Sequence, residues 1–187
     1  MCGCPFGGYK LVTVLMVVVA LCATAPANAG RAITPSAGPI HPLVIAHRGA
    51  SGVAPENTMA AFEQAVKFGV DMIELDVHLS RDGVPVVVHD DTLERCSDVA
   101  ERFPDRKPWR VGDFTAAELL SLDAGSWFVA KDPFGQIAAG AVPEADLARF
   151  GSGKVRIPTL KQVLALVAAG RAGVNIELKN FPMFYEG

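Results

Sequence analysis

In the octapeptide MIELDVHL, residues 72–79, Glu74, Asp76 and His78 alternate with Leu75, Val77 and Leu79. Strand side chains point to opposite faces in turn, so the polar three share one face and the apolar three the other. Two carboxylates two residues apart on a strand lie about 6 to 7 Å from each other, a separation that suits a hard divalent cation with oxygen ligands. A second stretch, VNIELK at 174–179, repeats the pattern. There Val174, Ile176 and Leu178 alternate with Asn175, Glu177 and Lys179. Glu177 is thus a candidate third carboxylate on the same inner surface, and Lys179 a point charge for an anion. Taken by itself, this strand is more simply explained by a Glu177–Lys179 pair that satisfies itself, an interaction of small worth on a surface.

Two histidines close apolar runs. His47 ends LVIA and is followed by Arg48 and Gly49, and His89 ends VPVVV. A lone histidine at a strand end is usually structural or solvated. Two of them, on strands flanking one that bears carboxylates, suit acid–base work: one takes a proton from a nucleophile and the other protonates a leaving oxygen. Arg48 adds a fork matched to phosphate oxygens. A cation held by oxygen ligands would neutralise charge developing on those oxygens. Together these are the parts of a phosphoryl-transfer site, and all fall at C-terminal strand ends, where parallel α/β folds place their active sites.

The elements that must position these groups can be read from pattern. Leu43 to Ala46 is a short strand. Asn57 or Thr58 caps a helix running to about Phe68, with Met59, Phe62 and Val66 on one face and Gly69 as its stop. Met72 to Leu79 is the second strand, Arg81-Asp82-Gly83 a turn, and Val84 to His89 a third strand. Its β-branched run suits a parallel sheet covered on both sides. Residues 95–156 are rich in Gly, Pro and charge and read as an insertion, with a capping box at Thr115 and Glu118 ahead of Leu119. Thr159 opens a helix from about Leu160 to Ala169, ended by Gly170, and Val174 to Leu178 is the fourth strand. The order β-α-β-β-insertion-α-β predicts a parallel α/β fold.

The chain has 187 residues and a net charge of −3, which gives no electrostatic footprint for nucleic acid. Its apolar excess sits at the N-terminus. In residues 1–29, Lys10 is the one charged side chain, an apolar run follows from Leu11 to Ala25, and Ala27-Asn28-Ala29 fits a small-x-small cleavage site. This predicts a signal peptide cut before Gly30. The run is shorter than the ~20 residues a membrane span needs, so no stable span is expected after cleavage. Leu21 ahead of Cys22 argues against a lipoprotein signal. Cys2, Cys4 and Cys22 leave with the leader, so Cys96 alone remains and no internal disulfide is expected. Residues 30–42 read as a linker in which His41 is solvated. The predicted location is secreted or periplasmic.

HRG followed by PENT, then ELDVHLSRDGVPVVVHDDTLER, LDAGSWF, IPTL and NIELK, resembles the glycerophosphodiester phosphodiesterase family, from about Leu43 to Lys179. The resemblance implies a TIM (β/α)8 barrel and metal-dependent hydrolysis of glycerophosphodiesters to glycerol 3-phosphate and an alcohol, with calcium or magnesium as the cation. It implies catalytic roles for His47 and His89, metal ligation by Glu74, Asp76 and Glu177, and phosphate contacts from Arg48 and Lys179. It also implies that 95–156 forms a small cap over the barrel mouth. Trp127 and Phe128 then either line that cap or pack in a core. Asn57 is explained as a helix cap, and Glu56 either orders the loop behind Arg48 or lies near the metal. His78 is not a fixed position of the family motif and is left outside the catalytic set.

Two departures from the family stand out. Residues 129–156 are longer and more polar than the usual link to IPTL. Four strands are visible where a closed barrel has eight in about 250 residues, so 43–187 reads as the N-terminal half of a barrel, with self-association as one route to a complete site. Two other readings remain: a sphingomyelinase-type phospholipase D, against which PENT and Glu177 argue, and an inactive truncated fragment that only binds phosphodiesters.

Overall fold

The structure is a computed structural model and describes residues 42–179. The predicted signal peptide and nearly all of the predicted linker lie outside the described residues. Four strands form one sheet centred on β2, Met72–Leu79. The first strand, β1 (Ile45–Ala46), pairs with its N-terminal end in parallel, Ile45 opposite Met72. On the other edge β4 (Gly173–Leu178) runs parallel along six positions, from Met72 opposite Gly173 to Val77 opposite Leu178.

The third strand departs from the expected direction. The segment β3 (Pro85–Val87) runs antiparallel to β2, with Val77 opposite Val87 and His78 opposite Val86. The turn between them explains why. Ser80 N donates to Val84 O at 3.0 Å, Gly83 N donates to Ser80 O at 2.9 Å, and Gly83 holds φ of 77°. A turn this short can only reverse the chain, since a parallel return needs a crossover of about a dozen residues or more. The β-branched run that suggested a parallel strand is equally at home in a buried hairpin. His89 therefore follows a returning strand and does not stand at the C-terminal end of a parallel one.

Helix α1 (Met59–Phe68) starts where Thr58 accepts a hydrogen bond from Ala61 N and stops at Gly69, whose φ of 70° is the left-handed cap that glycine adopts without strain. Its buried face, with Phe62 and Ala65, meets the apolar face of β2 (Ile73, Leu75, Val77) and Val163 of a later helix in one core. That face is the opposite of the one bearing Glu74, Asp76 and His78, so burying it turns the polar face inward.

Residues 95–156 carry four short helices: α2 (Val99–Arg102), α3 (Ala116–Leu119), α4 (Ser126–Lys131) and α5 (Glu144–Phe150). The expected capping box is present, Thr115 and Glu118 bonding reciprocally. Val99, Trp109, Phe114, Leu119 and Leu122 pack with Val86 and Val88 of the hairpin. Phe128 and Phe150 pack against Ala54 in the loop after β1 and against Ala60 and Ala61 at the start of α1. Phe128 is thus a core residue, and Trp127 is half-buried beside it. Helix α6 (Leu160–Ala168), with its own capping box at Thr159 and Gln162, leads into β4.

Candidate active site

The site begins at the end of β1. Arg48 has φ of 57° and Gly49 of 80°, so the chain turns sharply after His47. A Cβ on Gly49 would lie 2.8 Å from the Ala61 main chain, so only glycine fits this left-handed position. The turn aims Arg48 N at Glu74 Oε2, 2.8 Å away. The Arg48 side chain donates from Nη1 to Glu56 Oε1 at 3.0 Å, and its Nε lies 3.6 Å from Asp76 Oδ2. His47 is largely exposed, with Nε2 3.9 Å from Glu74 Oε2.

The alternation on β2 and β4 meets as expected. Asp76 is paired opposite Glu177 in the ladder, and Glu74, Asp76 and Glu177 each offer a carboxylate oxygen within 4.8 Å of the others. Glu74 and Asp76 are buried, while Glu177 is exposed. Burial raises the Glu74 carboxyl above its ordinary value, and the charges of Asp76 and Glu177 push the same way against the Arg48 N–H. Lys179 Nζ reaches Glu177 Oε1 at 2.6 Å and Asp76 Oδ1 at 3.1 Å. The self-satisfied Glu177–Lys179 pair is therefore real but not closed, because it also takes in Asp76. Partial burial works against the Lys179 charge, yet its hydrogen bond to Glu177 and the nearby Asp76 carboxylate outweigh this and raise it.

The carboxylates fit a cation on one further observation. Asp76 Oδ1 is buried and, among the described residues, has no partner in hydrogen-bond geometry, in spite of Lys179 nearby. A buried carboxylate oxygen in that state, facing two more carboxylates, is the environment a divalent ion satisfies.

His89 reaches the group from the hairpin. Val88 N donates to Asp76 O at 3.0 Å, and the His89 ring contacts Asp90, with Nδ1 2.6 Å from Oδ1. His78, on the inner face of β2, places Nε2 3.2 Å from His89 O. Burial lowers His78 from its ordinary value. Every predicted site residue except His89 thus touches another of the set by its side chain or main-chain N–H, and His89 joins through neighbours.

Sequence reasoning missed three contributors. Asn57 does not cap α1; Thr58 does. With φ of 54°, Asn57 donates from Nδ2 to Asp76 Oδ2 at 2.8 Å and so fixes the central carboxylate. Its signal was present: asparagine tolerates left-handed backbone, and a second good cap stood next to it. The others are Asp90 and Arg95. Glu56 orders the loop behind Arg48, the first of the two roles considered for it. Burial works against its charge, but the arginines outweigh it and hold it below its ordinary value.

Residues 47–183 match the model of the glycerophosphoryl diester phosphodiesterase family. The chain belongs to that family. It is 45% identical over 139 residues to a putative glycerophosphodiester phosphodiesterase of Bacillus subtilis, covering 74% of this chain and 45% of that protein. It is 42% identical over 145 residues to a glycerophosphodiester phosphodiesterase of Caldanaerobacter subterraneus, covering 78% and 48%. Among solved structures, a phosphodiesterase of Oleispira antarctica in complex with the product sn-glycerol-3-phosphate superposes with a TM-score of 0.55 at 36% identity, over 74% of this chain and 44% of that one. The Agrobacterium tumefaciens enzyme gives 0.54 at 37%. The family's TIM-barrel fold is represented here by a partial sheet, and the chain spans less than half the length of these relatives.

Proposed function

We propose that this chain carries the chemistry of a metal-dependent glycerophosphodiester hydrolase, releasing glycerol 3-phosphate and an alcohol. The observation that carries the reading is the convergence of Glu74, Asp76 and Glu177 within 4.8 Å, beside Arg48 and Lys179. Glu74, Asp76 and Glu177 would hold the cation, calcium or magnesium, which when bound neutralises charge on phosphoryl oxygens. Arg48 has guanidinium N–H groups beyond those spent on Glu56, and these bind the phosphate together with Lys179. His47, open to solvent, and His89, held by Asp90, exchange protons with water and with the leaving oxygen. Residues 95–156 shape the pocket above this surface. The apolar, cleavable pattern of 1–29 supports export to the periplasm or beyond. Exposed Leu43 and Val44 just ahead of β1, Ile45 on it and Leu178 on β4 support self-association.

The test is release of glycerol 3-phosphate from glycerophosphocholine, with calcium or magnesium and then with chelator, for the wild type and His89→Ala. Chelator-sensitive release that the variant lowers by about 10²-fold or more is the expected result. Release that survives both chelator and substitution contradicts the proposal. Cleavage of lysophospholipid or sphingomyelin in place of glycerophosphocholine would favour a phospholipase D activity.

A further inference from the structure

We propose that Asp90, Arg95 and Glu56 form a relay that fixes the His89 ring in one tautomer and ties it to Arg48. The relay rests on the reading of His89 as a proton-transfer residue and adds three positioning residues to it.

The contacts are continuous. Asp90 Oδ1 lies 2.6 Å from His89 Nδ1. Arg95 grips the same carboxylate with two nitrogens, Nε to Oδ2 at 2.6 Å and Nη2 to Oδ1 at 3.0 Å. With its other edge Arg95 donates to Glu56, Nη1 to Oε2 at 3.0 Å and Nη2 to Oε1 at 2.7 Å. Glu56 Oε1 also accepts from Arg48 Nη1. One buried carboxylate thus joins the arginine beside Asp76 to the arginine behind His89. Two bidentate forks sharing one guanidinium leave little freedom of rotation in any member. Arg95 is further confined by the Trp127 ring, 5.9 Å from its central carbon.

The tautomer follows from Asp90. Partial burial opposes its charge, but the bonds from Arg95 and His89 outweigh this and hold the carboxyl at about 2. Asp90 is then ionised and can only accept, so His89 Nδ1 carries the hydrogen and Nε2 presents its lone pair. When Nε2 takes a proton, the adjacent carboxylate stabilises the imidazolium. His78, against the His89 carbonyl, fixes the main chain on the other side. None of the three relay residues need touch substrate.

Two measurements on the full chain test this. The first reads ring tautomers by long-range proton–nitrogen NMR of histidine-labelled protein and does not depend on activity. His89 should carry its hydrogen on Nδ1 in the wild type, shift to Nε2 in Asp90→Ala, and move part of the way in Arg95→Lys, with the His78 signals unchanged as the check on folding. An Nε2–H ring in the wild type, or one unmoved by Asp90→Ala, overturns the proposal. The second measures glycerophosphodiester turnover. Asp90→Asn should lower kcat by about 10- to 100-fold, the usual cost of losing the outer partner of a functional histidine, with KM within about twofold. In a His89→Ala background the same change should cost nothing more. A loss that multiplies in that background, or that falls on KM alone, assigns Asp90 a merely structural role and overturns the relay. A shifted tautomer in a chain without turnover keeps the relay and sinks the reaction.

Discussion

The two strands flanking the carboxylate cluster are built differently. On β2, Glu74 and Asp76 are buried, and each is gripped by groups from the loop after β1, through Arg48 N and Asn57 Nδ2. On β4, Glu177 is exposed and, among the described residues, its side chain accepts a hydrogen bond from Lys179, just past the end of the same strand. Two of the three carboxylates are thus positioned by tertiary structure, and the third by its strand register. If the three hold a cation, as proposed, the buried pair fixes its position and the exposed Glu177 closes the cluster around it.

The largest expected effect breaks the buried side. Asp76→Ala should abolish divalent-cation binding and lower turnover by at least about 10²-fold, since the site loses its central ligand and Asn57 and Lys179 lose their shared partner. Glu177→Gln should cost less, about 10-fold in cation affinity. Parallel titration of both variants by calorimetry checks the ranking, and equal losses would erase the distinction between the strands.

Stability should follow the same division. Phe62→Ala, under β2, should cost about 3–5 kcal/mol by denaturant unfolding. Leu178→Ser, on the exposed edge, should fall within about 0.5 kcal/mol of wild type. Thr58→Ala removes the α1 cap and should cost about 1 kcal/mol.

The smallest effect is in the acid range. Glu56 and Asp90 both titrate below their ordinary values in the folded chain, Asp90 near 2. The native state therefore binds fewer protons than the unfolded chain, whose carboxyls titrate at about 4. The stability these groups supply is complete above about pH 5 and is lost as pH falls towards 2. A melting-temperature profile for Arg95→Met should show a shallower acid decline than wild type; an identical slope would detach Arg95 from both carboxylates.

Much of this was legible in the sequence because strand alternation is a strict period of two. Glu74, Asp76, Glu177 and Lys179 were placed on one surface by that rule, and the structure brings them together. The direction of β3 was not, because β-branched composition reports burial and is silent on orientation; the short Ser80–Gly83 turn held that information. Asn57, Asp90 and Arg95 were missed for another reason. Asn57 had an adequate local explanation as a cap, Arg95 is held by Glu56, which is distant in sequence, and Asp90 gains its place through Arg95.

The proposed function requires Glu74, Asp76 and Glu177 to act as one cation site. Calorimetric titration of calcium and of magnesium into the full chain, beside Asp76→Asn, tests it most directly. One cation per chain is expected in the wild type and none in the variant. Saturable binding that Asp76→Asn leaves unchanged would contradict it.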